Sequence, residues 1–336
     1  LKYKVLGSTG LKVSSVGFGG IPIQKVDEKE TAKLLEYAES KGINFIDSAR
    51  GYTISEELIG NALKGRREKW IIATKSMARD RESMLKDVEI SLKNLQTSYI
   101  DLYQFHNVRT QEQLDQVLSE DGAYSALLEL KQKGIIKHIG ITSHSVDMLK
   151  VAIETGKFET IMYPYNIVET QGEEVFKRAK ELNIGVIAMK PMAGGALTKG
   201  DLAIKFILSN DNITTAIPGM ASLSEVDINC NAGSSEDTLT EDEKEEMRKI
   251  SEELGTEFCR RCSYCAPCTA GIDIPSIFVL QAYKERYGLP DWANDRYQST
   301  ERRAKDCIEC GICEERCPYD LPIRNMLKKV RKIFNE

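Results

Sequence analysis

The sequence predicts an α/β chain, a (β/α)8 barrel followed by a small, mainly α-helical domain built around metal. Three observations carry this. Eight short apolar runs recur between residues 16 and 218. Amphipathic, helix-like patterns lie between them. The cysteines are held back: the first is Cys230, and the other eight form two dense sets after residue 258. Short apolar runs alternating with amphipathic helices imply parallel strands covered on both faces. Eight such units match the count of a (β/α)8 barrel. A doubly wound open sheet is the alternative. It calls for G-x-G-x-x-G after the first strand, and "GFGGIP" lacks that spacing.

The elements follow in order. "YKVLGSTGLKVSSVGFG" reads as a hairpin, with Val5 and Leu6 leading into the turn "GSTG" and Leu11 and Val13 leading out. It is placed to plug the bottom of the barrel. The strand runs are "VGFGG" (16–20), "INFIDSA" (43–49), "WIIATK" (70–75), "IDLYQFH" (100–106), "IKHIGIT" (136–142), "TIMYPY" (160–165), "GVIAMKP" (185–191) and "TTAIP" (214–218). Leu34, Leu35 and Ala38 form a helical stripe that stops at Gly42, just before the second run. After the eighth run, "GSSEDTLTEDEKEEMRKISEEL" is acidic and ends in a long helix. There Thr240 and Glu243 have capping-box spacing, and the acidic face reads as solvated surface. The expected domains are 1–254 for the barrel and 255–336 for the metal-bearing part.

Composition narrows the classes. With 41% hydrophobic and 29% charged residues the chain reads as a soluble globular protein. A net charge of −5 offers no electrostatic footprint for nucleic acid. No apolar run approaches the ~18 residues of a membrane span. The opening "LKYKVLGSTG" has no apolar core of a secretory signal, so a cytoplasmic location with reduced thiols is expected. Nine cysteines then point to metal rather than disulfides.

Barrel enzymes do chemistry at the C-terminal ends of their strands. The second run ends in Asp47, with Tyr52 following in "DSARGY"; the third ends in Lys75; the fourth ends in His106. These strands are consecutive, so their tips are neighbours. A tyrosine with its usual pKa of ~10 is a poor acid at neutral pH. A lysine cation beside it favours the phenolate. Asp47 would hold Lys75, and His106 would donate to a substrate carbonyl oxygen. Of the remaining histidines, His138 lies at the stability end of its strand, while His144 follows the fifth strand and either lines the pocket or is exposed.

The stretches "LGSTGLKVSSVGFGG", "FIDSARGY", "IIATKS" and "DLYQFH" resemble the aldo-keto reductase superfamily over roughly residues 3 to 230. The resemblance implies a barrel that uses a nicotinamide cofactor and a small carbonyl substrate. It also implies a catalytic tetrad of Asp47, Tyr52, Lys75 and His106. Cofactor recognition departs from the family. Met162, three residues before the Tyr165–Asn166 pair, stands where a glutamine usually meets the nicotinamide amide. Met189 stands where a tyrosine usually stacks beneath the ring. Gly219 and Glu225 replace the residues that receive a 2′-phosphate, and an acidic group there repels it. What remains is a generic nucleotide site of Gly19, Asn166, Gly194, Gly195, Gly219 and Ser222. The helix after the eighth strand would offer its N-terminal amides to a pyrophosphate. NADH is favoured over NADPH, and a flavin is an alternative.

The cysteines form "CRRCSYCAPC" (Cys259, Cys262, Cys265, Cys268) and "CIECGICEERCP" (Cys307, Cys310, Cys313, Cys317). The second set matches C-x2-C-x2-C-x3-C-P, the run of two-cluster ferredoxins, whose fourth cysteine ligates the other cluster. The first set departs in its last spacer. The expected pairing is Cys259, Cys262, Cys265 and Cys317 on one [4Fe–4S] cluster, and Cys307, Cys310, Cys313 and Cys268 on the other. Zinc is the competing reading of C-x2-C pairs, but it does not call for a third and fourth cysteine at the same short step. Between the sets, "PSIFVLQAYKERYG" reads as a helix with Pro in its first turn and Gly at its end. The domain therefore resembles an α-helical dicluster ferredoxin, and the whole chain the ferredoxin-fused branch of the aldo-keto reductases. Cys230 reads as a small buried apolar residue. The basic tail "IRNMLKKVRKIFNE" reads as a helix packing its apolar side inward.

The expected function is hydride exchange between a nicotinamide or flavin and a carbonyl or alcohol, coupled to one-electron transfer through two clusters. An electron-transfer protein is a candidate partner. The rival readings are a redox sensor or scaffold, or an electron carrier with a weakly active barrel.

Overall fold

The computed structural model describes the chain apart from residues 236–238, 262–263 and 318. Cys262, Pro318 and part of the acidic stretch lie outside the described residues. Among those described, the chain packs as two compact units. One comprises residues 1–166, 170–191 and 199–239; the other comprises 167–169, 192–198 and 240–336.

The first unit opens with an antiparallel hairpin of β1 (Tyr3–Val5) and β2 (Lys12–Ser14), turned through Gly10 in the left-handed region. Eight parallel strands follow: β3 (Phe18–Gly19), β4 (Phe45–Asp47), β5 (Ile71–Ser76), β6 (Ile100–Phe105), β7 (Ile136–Thr142), β8 (Thr160–Pro164), β9 (Gly185–Met189) and β10 (Thr215–Ile217). Each pairs with the next in chain order. Parallel bridges Val16–Ala216 and Gly19–Gly219 close β3 onto β10. The sheet is therefore a barrel, as all eight apolar runs predict, and not an open sheet.

The helices on its outside are α1 (Glu28–Ser40), α2 (Ser55–Ala62), α3 (Arg81–Asn94), α4 (Gln111–Leu118), α5 (Ala123–Gln132), α6 (Val146–Glu154), α7 (Glu173–Glu181), α8 (Gly200–Leu208) and α9 (Leu223–Ser234). Their starts have local causes. Asp27, Asp80, Thr110 and Ser145 each accept a hydrogen bond from a backbone amide of the first turn. Their apolar stripes bury against the outward side chains of the strands in one continuous core.

The barrel interior is a second core. Phe45, Ala73, Leu102, Met162, Ile187 and Ile217 point inward, and Leu6 and Val13 of the hairpin join them. Side chains alternate along a strand with period two. The inward residues one step further along β4, β5 and β6 are therefore Asp47, Lys75 and Gln104. The same alternation that builds an apolar floor raises a polar layer above it.

The second unit contains α10 (Glu241–Gly255), α11 (Ile274–Glu285), α12 (Pro290–Ser299), α13 (Ile312–Glu315) and α14 (Ile323–Ile333). Thr240 and Glu243 form the expected capping box on α10. Packing groups α10 with this unit, whereas composition draws the boundary after it. α14 buries Ile323, Met326, Leu327 and Val330, so its apolar face is internal packing. No helix among the described residues is long and apolar enough to cross a membrane.

Candidate active site and cluster cradles

Lys75 Nζ, at the tip of β5, donates to Asp47 Oδ2 and, at 2.7 Å, to the Ser48 carbonyl. Asp47 Oδ1 accepts from Gln104 Nε2 at 2.9 Å. Asp47, Lys75 and Gln104 are all buried. A buried charge pair is sustained only when its remaining hydrogen-bonding capacity is filled, and Gln104 and Ser48 do this. Burial pushes the Lys75 ammonium below the ordinary lysine range, against the pull of Asp47.

Tyr52 lies in the turn between β4 and α2. Its ring centroid is 4.9 Å from Lys75 Nζ, and it meets the His106 ring edge-on, with centroids 5.9 Å apart and planes at 88°. The four predicted residues therefore converge. The turn is anchored from behind by Glu56, buried on α2, which accepts from Thr74 Oγ1 (2.7 Å), Ser91 Oγ (2.8 Å) and Arg50 NH1 (2.8 Å). Burial drives His106 well below the usual imidazole range, and the cations Lys75, Arg79 and Lys190 add to the shift. This shift favours the neutral imidazole. Its buried Nδ1 has no hydrogen-bond partner among the described residues.

The nucleotide contacts meet other demands. At Gly19 a Cβ would stand 2.9 Å from the carbonyl oxygens of Ile217 and Pro218, and at Gly219 it would stand 2.5 Å from Pro22 Cγ. The closing seam accounts for both glycines. Ser222 is the N-cap of α9, accepting from Glu225 N at 3.3 Å. The Glu225 carboxylate in turn accepts from Ala221 N (2.7 Å) and Ser222 N (3.0 Å). The Ser222 side chain thus takes one first-turn amide of α9, and the Glu225 carboxylate takes the two amides just before the helix. Gly194 and Gly195 have φ of 68° and 79°. The Gly194 carbonyl accepts from Arg286 Nε at 3.0 Å, and a Cβ there would meet the Tyr287 ring at 3.5 Å. Packing within the second unit explains these two. Asn166 is buried and donates to the Lys190 carbonyl at 3.0 Å.

His138 pairs with Glu159 at 2.7 Å, near the start of β7, in a structural role. His144 is half-buried in the turn after β7. Cys230 is buried on α9, and burial pushes its thiol up to about 11.

The cysteines gather in two cradles. Cys268, Cys307, Cys310 and Cys313 line one hollow with Pro267, Ile274, Ile312 and Leu327. Cys259, Cys265 and Cys317 line another with Ile274, Pro275, Leu321 and Ile323. In each hollow the fourth member of one motif stands with the first members of the other. The walls are otherwise largely apolar. The Ile312 amide holds the exposed Cys310 thiol below its usual range, as suits a thiolate ligand. Each hollow gathers thiols of both motifs within largely apolar walls, which fits a group that takes one thiolate at each of several irons. Beside the second hollow, Arg261 is buried and paired with the buried Glu169.

Comparison with known proteins agrees. Residues 15–202 match the model of the "Aldo/keto reductase family". The chain belongs to that family. Residues 258–322 match the "4Fe-4S dicluster domain". The protein is thus an aldo/keto reductase-type oxidoreductase with a C-terminal iron–sulfur domain. It is similar to L-galactose dehydrogenase of Arabidopsis thaliana, 30% identical over 299 residues that cover 72% of this chain and 93% of that one. It is also similar to aldo-keto reductase YhdN of Bacillus subtilis, 30% identical over 238 residues, 65% of this chain and 70% of that one. Among solved structures it resembles aldo-keto reductase AKR11C1 from Bacillus halodurans in its holo form, with 28% identity and a TM-score of 0.65, covering 74% and 96% of the two chains.

Against the aldo/keto reductase pattern, Met162 is buried in the apolar floor and Met189 packs at its edge. Sequence reasoning missed three residues of this site. Gln104 was legible as a polar residue two places after the inward Leu102 in an otherwise apolar run. Glu56 and Arg79 carried no comparable signal.

Proposed function

We propose that the barrel reduces a carbonyl group on a small molecule, and that this reaction is coupled to one-electron transfer through two [4Fe–4S] clusters. The observation that carries the first half is the placing of Tyr52 between the Lys75 ammonium and the His106 ring. A nicotinamide, when bound, supplies the hydride. Tyr52 Oη gives its proton to the substrate oxygen as negative charge develops there. Lys75 favours the phenolate left behind; Asp47 and Ser48 hold Lys75 in place, and Gln104 holds Asp47. His106 is neutral and lacks an acceptor at Nδ1, so its proton sits on Nε2 and donates to the same oxygen.

Asn166 is the residue proposed to face the nicotinamide end. Glu225 at the start of α9 repels a 2′-phosphate and is an acceptor for ribose hydroxyls, which supports NADH over NADPH. The clusters would be held by Cys259, Cys262, Cys265 and Cys317, and by Cys307, Cys310, Cys313 and Cys268. The make-up of the two hollows supports this exchange of fourth ligands.

Tyr52→Phe tests the reading. Carbonyl turnover should fall by ~10²–10⁴-fold, the usual worth of a general acid, with NADH affinity little changed. Near wild-type turnover in the variant rejects the tetrad. A second reading, a redox sensor or electron carrier with a weakly active barrel, is favoured by Met162 and Met189, which pack with the barrel floor where the family usually holds a nicotinamide. Assay of an aldehyde panel with NADH and NADPH separates the two.

A further inference from the structure

We propose that the substrate of the barrel carries an anionic group, a carboxylate or phosphate, and that Arg79 receives it. The inference deepens the carbonyl-reduction reading and rests on it. Arg79 lies between β5 and α3. Its NH2 donates to the His106 carbonyl at 2.7 Å and the Asn107 carbonyl at 3.2 Å, and its NH1 makes a long contact to the Ala78 carbonyl at 3.4 Å. The guanidinium is therefore fixed at the strand tip that bears His106. Among the described residues it has no carboxylate partner, and its Nε donates to no protein acceptor.

Three other arginines near these strands are neutralised: Arg50 by Glu56, Arg67 by Asp101 and Arg81 by Glu129. The acidic groups around Arg79 are committed elsewhere. Asp80 caps α3 through Ser83 N at 2.9 Å, Asp87 accepts from Ser76 Oγ, and Asp47 holds Lys75. Burial pushes the Arg79 guanidinium down to about 10 with no anion to oppose it. Half-buried and balanced only by carbonyl dipoles, this cation costs free energy that an arriving anion restores. The planar fork suits a carboxylate or phosphate. Lys75, Arg79 and Lys190 all act on His106 as cations; Lys75 is balanced by Asp47, which leaves Arg79 as the cation beside His106 that an anionic substrate would meet.

The test uses the full chain with its clusters loaded. Steady-state reduction of succinate semialdehyde is compared with that of its methyl ester, for wild type, Arg79→Gln and Arg79→Lys. Calorimetry with succinate and dimethyl succinate, in the presence of NADH, reads binding without turnover. In the wild type the acid should have a KM at least about tenfold below the ester, as one charge-assisted bidentate contact provides, and succinate should bind where the diester does not. Arg79→Gln should abolish both differences, and Arg79→Lys should retain part of them. Equal handling of acid and ester by the wild type, or equal affinity for succinate and its diester, overturns the proposal. A loss in Arg79→Gln shared equally by acid and ester assigns Arg79 only to the shape of the loop and overturns it as well. The parent reading fails separately, if Tyr52→Phe reduces the ester as fast as the wild type.

Discussion

His106 shows how far a single residue can be read. Its position, ending the fourth strand run beside the tips of the second and third, was legible from the sequence. Its protonation state was not, because that depends on burial and on Lys75, Arg79 and Lys190, which come from three different loops and strands. The depressed pKa has a consequence for stability. Between the native pKa and the unfolded value of 6.5, the unfolded chain binds a proton that the native one excludes. Stability from this group is thus fully present above ~6.5 and declines as pH falls, by up to ~1.4 kcal/mol per pH unit, until the native pKa is reached. Urea denaturation of wild type and His106→Phe at pH 7.5 and 5.5 measures this. The wild type should lose more stability over the interval, and equal losses would show that the imidazole titrates normally. Gln104 and Arg79 mark the other limit. One is a polar residue hidden in an apolar run; the other is one arginine among many, distinguished only by the carboxylate it lacks.

At the scale of elements, the eight strands were readable because each is buried on both faces and so nearly wholly apolar. The α12 helix was missed. Its buried residues are only Ala293 and Tyr297, and its anchors are aromatic contacts made elsewhere: Trp292 to Tyr283 at 4.6 Å and Tyr297 to Phe334 at 3.8 Å. The inward column of β7 also reveals how elements serve the site. A Cβ at Gly140 would stand 2.2 Å from Thr160 Oγ1, 3.1 Å from Gln104 Cγ and 3.3 Å from Leu102 Cδ1. The missing side chain is the space in which Gln104 reaches Asp47. Gly140→Ala should overpack this layer at a cost of ~1–3 kcal/mol. It should also lower carbonyl turnover by displacing Gln104, while leaving the cluster spectrum intact. Thermal melting and turnover together check this. Full activity in a destabilised variant would show that Gln104 tolerates the shift and does not position Asp47.

In the whole molecule, packing does not follow a single linear boundary. Residues 167–169 and 192–198 leave the barrel sequence to pack with the C-terminal unit. Glu169 finds Arg261, and Gly194 finds Arg286, each across 92 residues of sequence. No local pattern announces such pairings.

Joining an aldo/keto reductase barrel to a 4Fe-4S dicluster domain in one chain raises a problem of electron count for the proposed function. A nicotinamide releases two electrons together as hydride, whereas each cluster accepts one. Coupling therefore needs a group able to split the pair, and that chemistry belongs to the cofactor rather than to the protein. Met162 and Met189, which stand where the resemblance places the nicotinamide contacts, are apolar and packed with the barrel floor, so a ring bound there would meet few polar demands. We expect reducing equivalents to pass between the units through a flavin or a radical-stabilising substrate. Anaerobic protein with both clusters loaded is mixed with NADH or NADPH, alone and then with free flavin, while cluster absorbance is followed. Bleaching should require the flavin or the substrate. Bleaching by nicotinamide alone, in protein free of flavin, contradicts the mediator. If dithionite reduces the clusters but no combination of nicotinamide, flavin and substrate does, the two units are not electronically coupled, and the clusters serve structure or sensing.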